Sequence, residues 1–470
     1  MQWETVIGLE IHIQMNTRTK AFCADDATFS NDPNTQTGII SLAHPGTLPK
    51  LNTKQIDSAV KLGLAMHCTI NPSSFFERKQ YFYPDLPKGY QISQQESPIC
   101  IGGHITLHTS AGNKTIRLHH IHMEEDAGKS VHDTDPHWTK IDLNRAGVPL
   151  LEMVTEPDFR NAEEVSLFLS ELQRLVRYLE ISDANMEEGS MRCDVNISVR
   201  PMGTDELRER CEVKNVNSRR FARKAIEYEV HRQINIWESG QAVRRQTMQF
   251  VPEEGITTPI RQKEDAHDYR YFPDPDLPPI CLSEKRLNDI KASMPALPSH
   301  YLERLINEKN LSAADASLLI EDRSIAEYYL KLVENHPDLN KPAANWIIQT
   351  ILPYLGDHQL DIRQFPVFPG EVQSLLITVQ AGKITTHQAL DILHQAILHP
   401  GMSIAALVDS KLAAIPTLDP HHIADEIFKT YPAEANEYKN GKKKLLGFFL
   451  GEIKKKYPEA NLREIQKIIS

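Results

Sequence analysis

Apolar and polar residues alternate strictly over residues 6–13, where Ile7, Leu9, Ile11 and Ile13 point one way and Gly8, Glu10 and His12 the other. A period of two marks a strand with one buried face. The pattern returns in three more segments. Over residues 118–126, Ile121, Met123 and Glu125 alternate with His120, His122 and Glu124. Over residues 192–199, Cys193, Val195, Ile197 and Val199 alternate with Arg192, Asp194, Asn196 and Ser198. Over residues 210–214, Cys211 and Val213 alternate with Arg210, Glu212 and Lys214. Segments with apolar backs and charged fronts predict one antiparallel sheet whose second face is solvated.

Elsewhere the period is helical. Residues 53–66 place Ile56, Val60, Leu62 and Leu64 near one stripe, with Thr53 as the cap. A stronger helix follows Asn161: Glu163 and Glu164 occupy its first turn, and Val165, Phe168, Leu169, Leu172, Leu175, Val176 and Leu179 form its stripe. Residues 219–240 read as a further helix. Residues 16–52 are a long turn-rich excursion. Residues 77–95, with two prolines and a glycine, read as an ordered loop, as does the proline-studded stretch 267–279. From about Leu282 strand alternation disappears, and short helical patterns run to the end. The expected class is therefore α+β: an antiparallel-sheet domain over 1–293, an all-α domain over 294–405 and a small helical tail over 406–470.

Composition narrows the classes. A chain of 470 residues with 40% apolar residues has ample material for two or three cores. Its net charge of −11 argues against a wholesale nucleic-acid coat but leaves room for a local basic patch. The tail carries one: Lys439, Lys442, Lys443, Lys444, Lys454, Lys455 and Lys456 face a single acid, Glu452, between 439 and 456. A cluster of this kind reads either as a solvated face or as a surface for RNA backbone. The six cysteines are dispersed and form no CxxC, which points to reduced thiols and a cytoplasmic protein. No apolar run approaches the length of a membrane span, and the first strand begins without a leader pattern.

Carboxylates and an imidazole on one sheet face suit a hard divalent cation, Mg²⁺ or Mn²⁺. Lys79 and Lys88, in the aromatic loop, read as solvated surface or as phosphate contacts. There is no GxxxxGK[ST], GxGxxG or GxSxG. Two classes remain on these grounds: Mg²⁺-dependent phosphoryl transfer, or a metal-dependent phosphodiesterase.

Longer motifs favour the first. Residues 8–17 (GLEIHIQMNT), 81–94 (YFYPDLPKGYQISQ), 123–129 (MEEDAGK), 142–150 (DLNRAGVPL), 185–196 (NMEEGSMRCDVN) and 267–279 (HDYRYFPDPDLPP) resemble the B subunit of the aspartyl/glutamyl-tRNA amidotransferases. Residues 438–448 (YKNGKKKLLGF) resemble its C-terminal part, so the resemblance covers essentially the whole chain. It implies a catalytic fold akin to glutamine synthetase and an ATP-dependent phosphorylation of the side-chain carboxylate of misacylated Glu-tRNA(Gln) or Asp-tRNA(Asn). Ammonia made from glutamine by a partner amidase, the glutaminase of a heterotrimer, then displaces the phosphate, and a small third subunit joins the two. The resemblance also implies that Glu10, His12, Glu124 and Glu125 hold Mg²⁺, with Asp194 and Glu212 as further metal or nucleotide contacts. Lys79 and Lys88 become candidates for phosphate contact or the ammonia path, and the tail lysines Lys442, Lys443, Lys444, Lys454, Lys455 and Lys456 for tRNA. The rival within the resemblance is a non-catalytic tRNA-binding scaffold. One departure stands out. Many members carry a four-cysteine zinc knot in the 16–48 excursion, whereas this chain keeps only Cys23, with Asp25 near the place of its mate. The loop is expected to hold together by packing, without structural zinc.

Overall fold

The alternation that opens the chain becomes strand β1 (Trp3–Gln14) in the computed structural model, which describes residues 2–131, 137–214, 216–262, 268–414, 420–457, 460 and 462–469. Its apolar side, Ile7, Leu9, Ile11 and Ile13, is buried to 1% exposure or less, and Glu10 and His12 lie half-buried on the other side. The elements that follow are α1 (Thr53–Ala65), β2 (Gly112–Glu125), β3 (Pro149–Thr155), α2 (Ala162–Tyr178) and β4 (Met191–Pro201). Then come β5 (Cys211–Lys214), α3 (Arg219–Glu238), β6 (Gln246–Val251) and β7 (Ile256–Gln262).

These strands form one sheet in the order β7-β6-β5-β4-β1-β3-β2, continued by Cys100–Ile101 and Thr69–Ile70. All four alternating segments of the sequence lie in it. The sheet departs from the expected pure antiparallel pattern at one place: β5 and β6 pair in parallel, Cys211 opposite Gln246. The cause is α3, which carries the chain back so that β6 starts from the same end as β5. One core cluster joins the apolar side of β1, β3 and β4 to α1, α2 and α3, with Val165, Phe168, Leu169 and Leu172 of α2 fully buried. Burying side chains of this size stabilises by about 1.5–3 kcal/mol each.

The cap expected of Asn161 forms, and the one expected of Thr53 does not. Asn161 accepts from Glu164 N and Ser218 from Phe221 N, but α1 is capped by Asn52, which accepts from Lys54 N, rather than by Thr53. The stretch read as an ordered loop at 77–95 is a hairpin instead: Glu77–Gln80 pairs with Tyr90–Ser93, and Phe272–Pro273 adds to it opposite Arg78 and Glu77. The prolines fall in the turn, where they remove no ladder bond.

The chain divides into two compact units, Met1–Pro298 and Ser299–Ser470. The second is helical throughout its described residues, and within it Ile423, Ile427, Tyr438, Phe449, Ile453 and Ile465 share a core. No helix among the described residues is long and apolar enough to cross a membrane. His267, first residue of one resembling block, and residues 415–419 of the tail lie outside the described residues.

Candidate active site

The open face of the sheet is read most directly across its strands. Register places His12 of β1 opposite Glu152 of β3, and Glu152 opposite His122 of β2. One line of side chains thus crosses three strands, and Glu124 joins it from further along β2. His12 Nε2 lies 3.3 Å from Glu152 and 3.5 Å from Glu124. His122 Nε2 lies 3.4 Å from Glu152 and 3.6 Å from Glu124. Two imidazoles and two carboxylates therefore stand at the corners of a small quadrilateral. Glu10, on the adjacent row of β1, completes a second group with His12 and Glu152.

Charge and burial act on one another here. Burial opposes the positive form of His12, but its hydrogen bond to Glu152 and the charges of Glu152 and Glu124 prevail, raising it to about 9. His122 is raised to about 10 by the same two carboxylates against the same burial. Glu152, although buried, is held ionised well below the usual carboxylate range by His122 and His12. Glu10 is pushed up to about 6, first by burial and then by the nearby Glu152 charge. The carboxylates hold protons on the two imidazoles, and a bound cation would take the place of those protons. In donor type the set also suits one: carboxylate oxygens with imidazole nitrogen, all within 4.8 Å in the groups Glu10–His12–Glu152 and His122–Glu124–Glu152.

The other residues singled out from sequence are placed as follows. Glu125 leaves β2 on the side opposite Glu124, where Lys88 Nζ and the Ile92 N–H both donate to its Oε1. Its oxygens are not among the converging donors of the described residues, and Glu152 stands in its place. Asp194 and Glu212 share the Lys214 ammonium, at 2.5 and 3.2 Å. Lys79 Nζ lies over the Tyr269 ring at 4.9 Å and the Tyr81 ring at 5.9 Å, so it is caged by aromatics. Tyr271 comes close enough to Glu152 and Glu124 for their charges, after burial, to raise its hydroxyl. In the tail, Lys442 pairs with Glu437, Lys455 with Glu452 and Lys456 with Glu426 on the surface.

Sequence reasoning missed Glu152. It stands alone as an acid in Leu150-Leu151-Glu152-Met153-Val154, and a lone carboxylate inside an apolar strand was the available signal. Two clefts open beside Glu10. One, of about 200 Å³, is lined by Gly8, Thr155, Pro157, Leu207, Arg208 and Arg210. The other, of about 70 Å³, is lined by Asn196, Glu212, Arg210, Arg245 and Gln246.

Comparison with known proteins shows the family. A family model described as the GatB/GatE catalytic domain matches residues 5–288, and one described as the GatB domain matches residues 327–469. A protein of Persephonella marina, named as the B subunit of an aspartyl/glutamyl-tRNA(Asn/Gln) amidotransferase, is 41% identical over 472 residues, covering 100% of this chain and 99% of its own length. Proteins of the same name from Geotalea daltonii and Chlorobium phaeobacteroides are each 44% identical, the first covering 96% of this chain and 95% of itself, the second 97% and 96%. The chain belongs to the GatB family, that of the B subunits of the aspartyl/glutamyl-tRNA(Asn/Gln) amidotransferases.

Proposed function

We propose that this chain is the transamidase subunit of a tRNA-dependent amidotransferase. It phosphorylates the side-chain carboxylate of Glu-tRNA(Gln) or Asp-tRNA(Asn) with ATP, and ammonia then replaces the phosphate. Ammonia comes from glutamine hydrolysed by a partner amidase, with a small third subunit completing the complex, in the cytoplasm. The observation that carries this reading is the convergence of Glu10, Glu124, Glu152, His12 and His122 on the open face of the sheet. An open acidic face over a mainly antiparallel sheet is also what a fold akin to glutamine synthetase calls for.

Phosphorylating a carboxylate brings two anions together, so the site needs positive charge. Glu10, His12, Glu124 and Glu152 are the residues that would hold Mg²⁺, which supplies charge neutralisation at the transferring phosphoryl group. The chain's own residues do the rest. Glu152 fixes both imidazoles by accepting from each. The cleft between Gly8 and Pro157 gives the nucleotide a place beside Glu10, with Arg208 and Arg210 on its wall. Lys214 keeps Asp194 and Glu212 from adding free negative charge there. Glu125 orients Lys88, and Lys79 is steadied by its tyrosines; we assign both lysines to phosphate contact or to the ammonia path. We assign the lysines at 442–444 and 454–456 to tRNA backbone and residues 406–470 to a separate tail.

Amidation supplied with ammonium chloride in place of glutamine bypasses the amidase and tests the site directly. Glu152→Gln keeps side-chain shape and His12→Gln replaces the imidazole with an uncharged amide, and each is expected to cut the ATP-dependent rate roughly a hundredfold or more. Near-normal rates in both variants put the active site elsewhere. RNA cleavage with Mg²⁺ and no ATP indicates a phosphodiesterase, and tRNA binding with no amidation in the wild type indicates a scaffold.

A further inference from the structure

The His12–Glu152–His122 line does not end at His12. Opposite His12 on β4 stands Arg192, so the line runs across four strands and finishes on a guanidinium. The Arg192 Nη2 donates to Asp126 Oδ2 at 2.8 Å. That same oxygen also accepts from Gln14 Nε2 at 2.8 Å and faces Arg145 at 3.5 Å, so Asp126 is shared between two guanidiniums and an amide. Arg192 Nε, by contrast, is shut off from water and has no acceptor among the described residues. A buried N–H without a partner is rare and costly; the Arg192 side chain is 35% exposed, so a small turn of the guanidinium brings this donor to an acceptor from outside.

The neighbouring cations are differently engaged. Lys214 binds Asp194 and Glu212, and Arg145 donates to the carbonyls of Ala127 and Gly128. Around them the face is lined with carboxylates, which repel an incoming carboxylate. A planar guanidinium with an empty donor at the edge of such a face matches the oxygens of a carboxylate or of the acyl phosphate made from it.

We propose that Arg192 is the specificity-determining residue that receives the side-chain carboxylate of the misacylated aminoacyl group, and through its charge disfavours the amide product. The proposal rests on the amidotransferase reading above. It separates substrate from product at the atoms that distinguish them, since the tRNA is common to both.

The test is equilibrium binding to the assembled amidotransferase without ATP. Glu-tRNA(Gln) is compared with Gln-tRNA(Gln), or Asp-tRNA(Asn) with Asn-tRNA(Asn), so the polyanion cancels in the ratio. The wild type is expected to bind the carboxylate form about tenfold or more tightly. Arg192→Gln should bring the ratio near one, and Arg192→Lys should retain part of it. Asp126→Asn removes the ion pair but leaves the guanidinium, so the preference should survive there. A wild-type ratio near one, or an unchanged ratio in Arg192→Gln, overturns the proposal. If Arg192→Gln does not fold, Arg192→Lys and Asp126→Asn decide: a preference reduced in Arg192→Lys but kept in Asp126→Asn supports it, and an undiminished preference in Arg192→Lys overturns it. A failure of the underlying reading looks different, because His12→Gln would then amidate normally with ammonia.

Discussion

Glu152 is the carboxylate on which both donor groups depend, and Glu10 is crowded against it. Burial and that crowding push the Glu10 carboxyl up to about 6, so a bound cation relieves a repulsion the fold otherwise carries. Mg²⁺ is therefore expected to raise the melting temperature of the wild type by a few degrees, by binding the native state. In Glu152→Gln this rise should vanish, whereas in Glu125→Gln, whose carboxylate is engaged by Lys88, it should persist. Calorimetry with and without Mg²⁺ checks both, and the reverse pattern moves the cation to Glu125. Glu10, His12 and Glu124 were legible because their strands alternate. Glu152 was not, because β3 lies between β1 and β2 and its Leu150, Leu151 and Met153 are all buried, which hides the period. Which of Glu124 and Glu125 faces the site follows from β2 being regular from His120 to Glu125, beyond a register shift at His119, a matter that only pairing reveals.

At the scale of elements, the excursion after β1 shows how a loop holds its shape with a single cysteine. Asp25 accepts from Gly38 N at 2.7 Å and from Ser41 Oγ at 2.7 Å, tying the two arms together. Beneath them the Lys20 side chain, fully buried, donates to Ser41 Oγ and to Leu143 O, each at 3.4 Å. Hydrogen bonds thus supplement the packing expected from sequence. Burial alone would raise the Asp25 carboxyl, but Ser41 and Gly38 lower it overall. A depressed carboxyl contributes stability that is full above about pH 4 and fades as pH falls through its folded value. Asp25→Asn should accordingly cost about 1–2 kcal/mol at neutral pH, with the gap to wild type closing in acid. Denaturant melts at several pH values check this, and a constant gap removes Asp25 as the tie. The helices were legible from their caps and stripes. The 77–93 hairpin was not, since four-residue strands show no period and one partner, Phe272–Pro273, lies far along the chain.

For the whole molecule, the class was legible: sheet first, helices afterwards. The parallel pairing of β5 with β6 was not, because strand direction depends on how α3 returns the chain. The lysine cluster sits in the helical unit, where Lys442, Lys455 and Lys456 make exposed pairs. Such pairs are weak and give way readily to phosphate. Removing residues 406–470 should weaken tRNA binding and flatten its dependence on salt, while amidation at saturating tRNA falls less. Titrations at several salt concentrations check this; an unchanged slope returns the cluster to a solvated face. The strand order has a further consequence, in time rather than in space. β1 leaves the ribosome before either of its partners, since its ladders are made with residues 150–154 and 191–201. At about 5–20 residues per second, roughly ten to forty seconds pass before its second neighbour emerges. During that interval Ile7, Leu9, Ile11 and Ile13 have no sheet to cover them. A nascent chain released before Met191 carries an adhesive first strand and half a catalytic face, so it is work for chaperones and proteases rather than for translation.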